Sequence, residues 1–454
     1  MAIRREPSLD SVPTTRGWAS PKSQSSSLHA RGRQVIPAGS SRQTLYMPPN
    51  PPYAHHGEGC WIVGVDGDRW LDMLNNFTAM IHGHAHPAVI EAAIRQVQRG
   101  TAFPMPSAEE GELAALLVDR LPSVERVIFN NSGTEAVMCA IRAARGFTGR
   151  PKIAKFEGAY HGTYDYAEVS QSPSPAEWGP LEAPRSVPVS KGTPQGVLDD
   201  VVVLPFNRPE LAVQRIEQEA KNLAAVLLDP VANRVGMVPA RPEFLRAIRE
   251  VTAAHGILLI FDEVICLRLG YHGAQGHFGM RPDLTTMGKI IGGGFPVGAV
   301  GGRADVMEVF DPQGGKPAVQ YGGTFTANPV TMAAGLATMR LLDERQFQRM
   351  DELGSKMRAA LAACFKDLGV PGRVTGVGSL FRIHLFDREL IDYRTANPSE
   401  AETQRLKRLH RRLMEHGVII APQGLGCLST PMGDAEIELM IETFAACLKE
   451  EAGG

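Results

Sequence analysis

Residues 257–264 read Ile257-Leu258-Leu259-Ile260-Phe261-Asp262-Glu263-Val264: five apolar residues in a row, closed by two carboxylates. A run that does not alternate cannot have one wet and one dry face, so it predicts a strand covered on both sides. Strands of that kind belong to parallel sheets flanked by helices, and the helical pattern over residues 243–255 supplies a flanking helix. The same rhythm recurs upstream. Val127-Ile128-Phe129 leads into a helix over 134–147, residues 152–156 form a further strand, and 223–228 another apolar one. Together these predict an α/β fold whose large domain has a mostly parallel sheet with helices on both faces.

Towards the N-terminus, residues 58–72 predict a small hairpin, with Cys60-Trp61-Ile62-Val63 and Trp70-Leu71-Asp72 on either side of a turn at Asp66-Gly67-Asp68. Helices are expected over 88–97 and 108–120, the first opened by Pro87 at a permitted first-turn position. Residues 171–193, dense in Pro and Ser, predict a long surface excursion. From Asn328 the texture changes. Helices over 329–342, 345–368, 400–416 and 435–450, with short strands around Phe381-Arg382-Ile383-His384, predict a smaller α+β domain. The resulting plan is an extension over 1–36, an N-terminal segment over 37–85, a large domain over 86–328 and a small C-terminal domain over 329–454. The extension is rich in Ser, Arg and Pro and is expected to be disordered. Its composition also suits an organelle transit peptide.

Bulk composition narrows the class. The 454 residues are 43% hydrophobic and 21% charged, with a formal net charge of −2. That balance supplies no basic field for nucleic acid or an anionic membrane. Six scattered cysteines without a CxxC pair predict free thiols in a reducing compartment, the cytoplasm, and no metal site. No apolar run reaches the length of a membrane-spanning helix.

Four short stretches carry chemistry. Asn131-Ser132-Gly133-Thr134-Glu135-Ala136 falls between a strand and a helix, where free N–H groups make an anion site, although a plain Ser N-cap reads equally well. Gly158-Ala159-Tyr160-His161-Gly162 places an aromatic between glycines just after a strand, suited to a planar ligand or to simple core packing. Asp262 ends the buried strand, where a carboxylate needs a cation or hydrogen-bond donors to stay ionised. Gly288-Lys289-Ile290-Ile291-Gly292-Gly293-Gly294 sets a lysine among apolar residues and glycines. A lone lysine is usually a solvated charge; here desolvation would favour the free amine that imine chemistry needs.

In this order the four stretches resemble the class III (ω-type) pyridoxal-phosphate aminotransferases of fold type I. Gly83-His84-Ala85-His86-Pro87 and Gly323-Thr324-Phe325-Thr326-Ala327-Asn328-Pro329 extend the likeness. It is nearest to the glutamate-1-semialdehyde aminomutase and β-amino-acid aminotransferase branch. The resemblance implies pyridoxal 5′-phosphate as cofactor, held by Lys289 as a Schiff base, with Lys289 also moving the substrate proton. It implies that Asp262 pairs with the ring nitrogen, that Tyr160 and Val264 cover the two ring faces, and that Ser132, Gly133 and Thr134 hold the phosphate. Thr324 would reach the phosphate of a neighbouring subunit, making the active unit a homodimer with sites at the interface.

For the substrate, Arg42 matches the position where this branch carries an arginine for a carboxylate, a geometry that a guanidinium fork suits. After Ala421-Pro422, where aminomutases of the branch have a nearby glutamate and several β-amino-acid aminotransferases an arginine, this chain has Gln423. Arg234, in Asp229-Pro230-Val231-Ala232-Asn233-Arg234, is a further candidate for the substrate pocket, against a local ion pair with Asp229 or Glu263. The resulting expectation is an enzyme moving an amino group from a carboxylate-bearing amine to a keto acid or aldehyde. The alternative is an aminomutase or racemase on the same fold.

Overall fold

The structure, a computed structural model, describes residues 17–453. Three strands lie near the N-terminus: β1 (Ala54–Glu58), β2 (Trp61–Gly64) and β3 (Arg69–Asp72). The central sheet follows, built from β4 (Arg126–Asn130), β5 (Lys152–Phe156), β6 (Val201–Leu204), β7 (Leu223–Leu228), β8 (Leu258–Asp262), β9 (Leu284–Gly288) and β10 (Gly298–Gly302). Its order is β4-β10-β9-β8-β7-β5-β6. Pairing is parallel from β6 through β9, and only β10 runs against its neighbours. Every residue of β7 and β8 is buried, as a sheet covered on both faces requires.

Two helix layers do the covering. The helix Gly133–Thr148 turns Ala136, Ala140, Ile141 and Ala144 onto one face of the sheet. Pro242–Ala254 turns Phe244, Leu245 and Ile248 onto the other. Each Leu, Ile or Phe fully buried in this way contributes about 1.5–3 kcal/mol. Strand β10 carries no apolar signature because its glycines are there for close approach. A Cβ at Gly298 would stand 2.0 Å from the Ser132 carbonyl oxygen, and one at Gly302 would stand 2.4 Å from that of Asp283.

The remaining strands are β11 (Arg373–Thr375), β12 (Leu380–His384), β13 (Val418–Ile419) and β14 (Leu425–Cys427). Sheet β11-β12-β14 and sheet β1-β2-β3-β13 belong to one smaller lobe, since β3 pairs in parallel with β13. The two ends of the chain share its core, where Leu71 and Met73 pack with Phe381, Leu409, Leu413 and Phe444. The hairpin expected over 58–72 is β2-β3, with β1 added at its edge.

The expected disorder of the extension does not hold for residues 17–36; residues 1–16 lie outside the described residues. Ser23 caps the helix Gln24–Gly32 by accepting from the Ser26 N–H. Trp18 is fully buried, and the Asp66 carboxylate accepts from the Gln24 N–H at 2.6 Å and the Ser25 hydroxyl at 2.5 Å. A few anchoring side chains outweigh the polar composition on which the expectation rested.

Candidate active site

At the carboxyl ends of β7, β8 and β9 the sheet opens into a cavity of about 590 Å³. Ser132, Gly133, Thr134, Tyr160, Asp262, Val264 and Lys289 all line it, as do Arg42, Arg234 and Gln423. Register explains the innermost groups. Leu228 pairs with Phe261 and Asp262 with Thr286, so Asp229, Asp262 and Thr286 emerge side by side from three adjacent parallel strands.

Asp262 is buried and accepts three hydrogen bonds: from His161 Nδ1 at 2.7 Å, the Thr286 hydroxyl at 3.0 Å and the Val264 N–H at 3.1 Å. Burial alone would raise its pKa. The bond and charge of His161, with the Val264 and Thr286 donors, outweigh that and hold it below the usual carboxylate range. Asp229, equally buried, accepts from the Val231 N–H at 2.9 Å and from the Cys266 thiol. Burial and the neighbouring Asp262 charge push it up to about 7. Two carboxylates at the floor of one cavity are thereby set apart, one ionised and one able to hold a proton near neutrality.

Lys289 follows β9 directly and takes a left-handed backbone conformation, φ +50°, which for a side chain other than glycine costs about 1–3 kcal/mol. Burial lowers its pKa against the pull of Asp262 and Asp229, which favours the free amine. Glu263, the carboxylate beside Asp262, faces away from the cavity floor. It accepts from the Ala274 N–H at 2.6 Å and from Gln275 through backbone and side chain at 3.1 and 3.0 Å.

The helix Gly133–Thr148 points its N-terminus at the cavity. Ser132 accepts from the Glu135 N–H at 3.1 Å, while the Gly133 and Thr134 N–H groups have no protein partner among the described residues. Gly162 (φ +89°) lies so close that a Cβ there would meet Thr134 Oγ1 at 2.4 Å. A Cβ on Gly133 would meet Val264 Cγ1 at 3.0 Å. These glycines leave a cradle for an anion between helix start and loop. Tyr160 is 40% exposed to the cavity. The loop behind it is fastened by Lys155, a fully buried lysine of β5, which donates to the Ala159 and Val169 carbonyls at 3.0 and 2.6 Å.

Thr324 lines no part of this cavity. It lies in a separate surface depression with Phe103, Met105 and Phe325. Arg42 is at the rim, its Nη1 donating to Asn76 Oδ1 at 2.7 Å and its guanidinium 5.1 Å from the Phe77 ring centre. Arg234 makes neither of the local ion pairs weighed for it; its guanidinium stands 5.6 Å from the centre of the Tyr160 ring.

Sequence reasoning missed Thr286 and the turn that carries Asn76 and Phe77. Residues 75–78 all have positive φ, from 49° to 75°. The Asp72 carboxylate accepts from the Leu74 and Asn75 N–H groups, and Arg268 donates to the Thr78 carbonyl, so the turn is held from both ends. The Asn75-Asn76 pair was the available signal, since among residues other than glycine asparagine is enriched in this region.

The profile of the aminotransferase class-III family matches residues 47–448. A glutamate-1-semialdehyde 2,1-aminomutase of Methanothermobacter thermautotrophicus is 38% identical over 422 residues, covering 92% of this chain and 97% of that one. The crystal structure of an omega-transaminase from Sphaerobacter thermophilus shares 53% identity, with 97% and 100% of the two chains covered and a TM-score of 0.95. A β-phenylalanine aminotransferase from Variovorax paradoxus shares 34% over 95% of this chain and 94% of that one, with a TM-score of 0.83.

Proposed function

The chain belongs to the class-III aminotransferases and takes pyridoxal 5′-phosphate as cofactor, and on that premise we propose that it moves an amino group from a carboxylate-bearing amine, best a β-amino acid, to a keto acid or aldehyde. The observation that carries the reading is a buried carboxylate, Asp262, bonded to three donors and set by sheet register in one cavity with Lys289.

The residues present fit the cofactor. Ionised Asp262 suits a protonated ring nitrogen, the glycine cradle at Gly133 and Gly162 suits a phosphate, and Tyr160 and Val264 offer two walls for a planar ring. Lys289 would hold the aldehyde carbon covalently as a Schiff base, and Ser132, Gly133 and Thr134 would hold the phosphate. Bound there, the cofactor supplies an electron-withdrawing ring that stabilises charge released at the amine-bearing carbon. The chain's own residues do the rest. His161 and Thr286 keep Asp262 ionised, Tyr160 restricts the ring plane, and the Lys289 amine accepts and returns the proton of the amine-bearing carbon. Arg42 presents its free guanidinium edge to the donor carboxylate, with Gln423 as a neutral wall beside it.

We further assign the active unit as a homodimer in which Thr324 reaches the partner's phosphate. The support is an apolar surface around Thr324: Phe325, Met105 and Phe103 are 61%, 70% and 45% exposed. All six cysteines are buried and outside any disulfide, which suits a cytoplasmic enzyme. Among the described residues no helix is long and apolar enough to cross a membrane.

The test is a panel of β-, γ- and α-amino acids with keto-acid and aldehyde acceptors, followed by the visible absorbance of the bound cofactor and by product. Transfer is expected with a β-amino acid donor, and Lys289→Ala is expected to lose both the absorbance of the covalent cofactor and turnover. Conversion of a single amino aldehyde into its isomer, with no keto acid required, would select the aminomutase instead.

A further inference from the structure

Two guanidiniums line the cavity, and only one is bound to its own chain. Arg42 is tied to Asn76. Arg234 makes no hydrogen bond or ion pair among the described residues, and its only close polar-to-ring contact is with Tyr160. A turn places it there. Residues Asn233–Val235 form one 3-10 turn that closes at Gly236, φ +81°. Strands β11 and β12 of the smaller lobe grip both ends of that turn. Arg382 donates to the Asn233 carbonyl, the Thr375 hydroxyl donates to the Gly236 carbonyl at 2.6 Å, and His384 Nε2 lies 3.2 Å from the same oxygen.

Arg382 is itself buried, 7% exposed, with its Nε unpartnered and no acid paired to it among the described residues. Burial and the neighbouring Arg234 charge lower its pKa to about 10. The acids around this wall are engaged elsewhere. Glu157 pairs with Arg394, Asp392 with Arg208, and Glu263 with the 274–275 backbone. Glu168 attracts Arg234 without forming an ion pair. A wall with two cations and no bonded counter-ion is costly unless the ligand brings the anion.

We propose that Arg234, positioned by the Arg382-held turn, is the receptor for a second carboxylate, so that the cavity selects dicarboxylic ligands, the acceptor keto acid among them, over monocarboxylic ones of equal length. The assignment rests on the carboxylate-binding role given to Arg42 above, which takes the first carboxylate. A planar fork with its donors free is the group best suited to a carboxylate.

The experiment compares glutarate with pentanoate, two five-carbon acids that differ in the second carboxylate, by calorimetric titration of the cofactor-loaded enzyme. Wild type is expected to bind glutarate at least tenfold more tightly. Arg234→Gln is expected to bring the ratio to within twofold of one by weakening glutarate alone, and Arg234→Lys to keep much of the preference. Arg42→Gln should weaken both acids. Equal binding of the two by wild type, or an unchanged ratio in Arg234→Gln, overturns the proposal. The aminotransferase reading fails separately, through absence of amino-group transfer with every donor tried, and the binding ratio can be measured either way.

Discussion

Thr286→Val tests whether the ionisation of Asp262 is built by its neighbours or comes from the cofactor alone. Thr286 is fully buried on β9, directly across the ladder from Asp262 on β8, and its hydroxyl donates to Oδ1 at 3.0 Å. Valine keeps the shape and deletes the donor. One of three hydrogen bonds to the carboxylate is lost, and a bond to a charged group is worth about 1.5–3 kcal/mol. If that stabilisation is needed throughout the reaction, kcat/KM at neutral pH falls by roughly tenfold to a little over a hundredfold. The sign of the pH effect follows from the direction of the shift. Asp262 has a depressed pKa, so its ionised form is secure above its ordinary range and is lost as pH falls through the folded value. Removing a donor raises that value, and the acid limb of the kcat/KM profile must move to higher pH. Thr286→Ser, which restores the hydroxyl, should move it back. The reasoning is refuted by a folded, cofactor-loaded Thr286→Val enzyme whose rate stays within twofold of wild type with an unmoved acid limb.

Three other outcomes follow from the geometry. Gly162→Ala puts a Cβ at φ +89° within 2.4 Å of Thr134 Oγ1, a strain of about 1–3 kcal/mol, and should weaken cofactor affinity in a fluorescence titration; unchanged affinity would show that this loop does not bound the phosphate cradle. Phe325→Glu places a charge in the exposed apolar patch, and sedimentation velocity should report monomer with reduced cofactor affinity; an intact dimer would place the interface elsewhere. Lys155, with its pKa pulled by burial from 10.5 to about 7, binds fewer protons folded than unfolded between those values, so its contribution to stability rises with pH across that window and is lost as pH falls towards 7. Wild type should gain melting temperature relative to Lys155→Met between pH 7 and pH 9.5, and parallel curves would refute the assignment.

What was legible in the chain, and what was not, divides along the range of the forces involved. Strand β8 and the helix before it were readable because burial on both faces leaves a local mark, an unbroken apolar run. The cofactor-site candidates were readable because helix N-termini, positive-φ glycines and strand ends impose residue types at short spacing. Strand β10 was not, since its glycines answer to Ser132 and Asp283, residues distant in sequence. Thr286 was not, because its role depends on a register that only the folded sheet sets. The extension failed for the opposite reason: composition argued for disorder while Trp18, Ser25 and Asp66 fastened it through contacts spanning some forty residues.

Arg234 was half legible: the sequence offered it for the substrate pocket beside a local ion pair, and only the fold shows which contacts place it at the cavity. In the sequence it is one arginine near two acids, and a local ion pair was the simpler reading. In the fold neither acid pairs with it: Asp229 lies at the cavity floor and accepts from the Val231 N–H, and Glu263 accepts from the 274–275 backbone. The groups that place Arg234 instead come from β11 and β12, more than a hundred residues on, and they hold its backbone while leaving its guanidinium free. A side chain meant to stabilise the fold is held by its charged end. Arg394 is the local contrast, with its fork closed on Glu157 at 2.8 and 3.1 Å and on carbonyls of the neighbouring loop. An arginine fixed at the backbone and open at the fork is arranged to receive an anion from outside the chain.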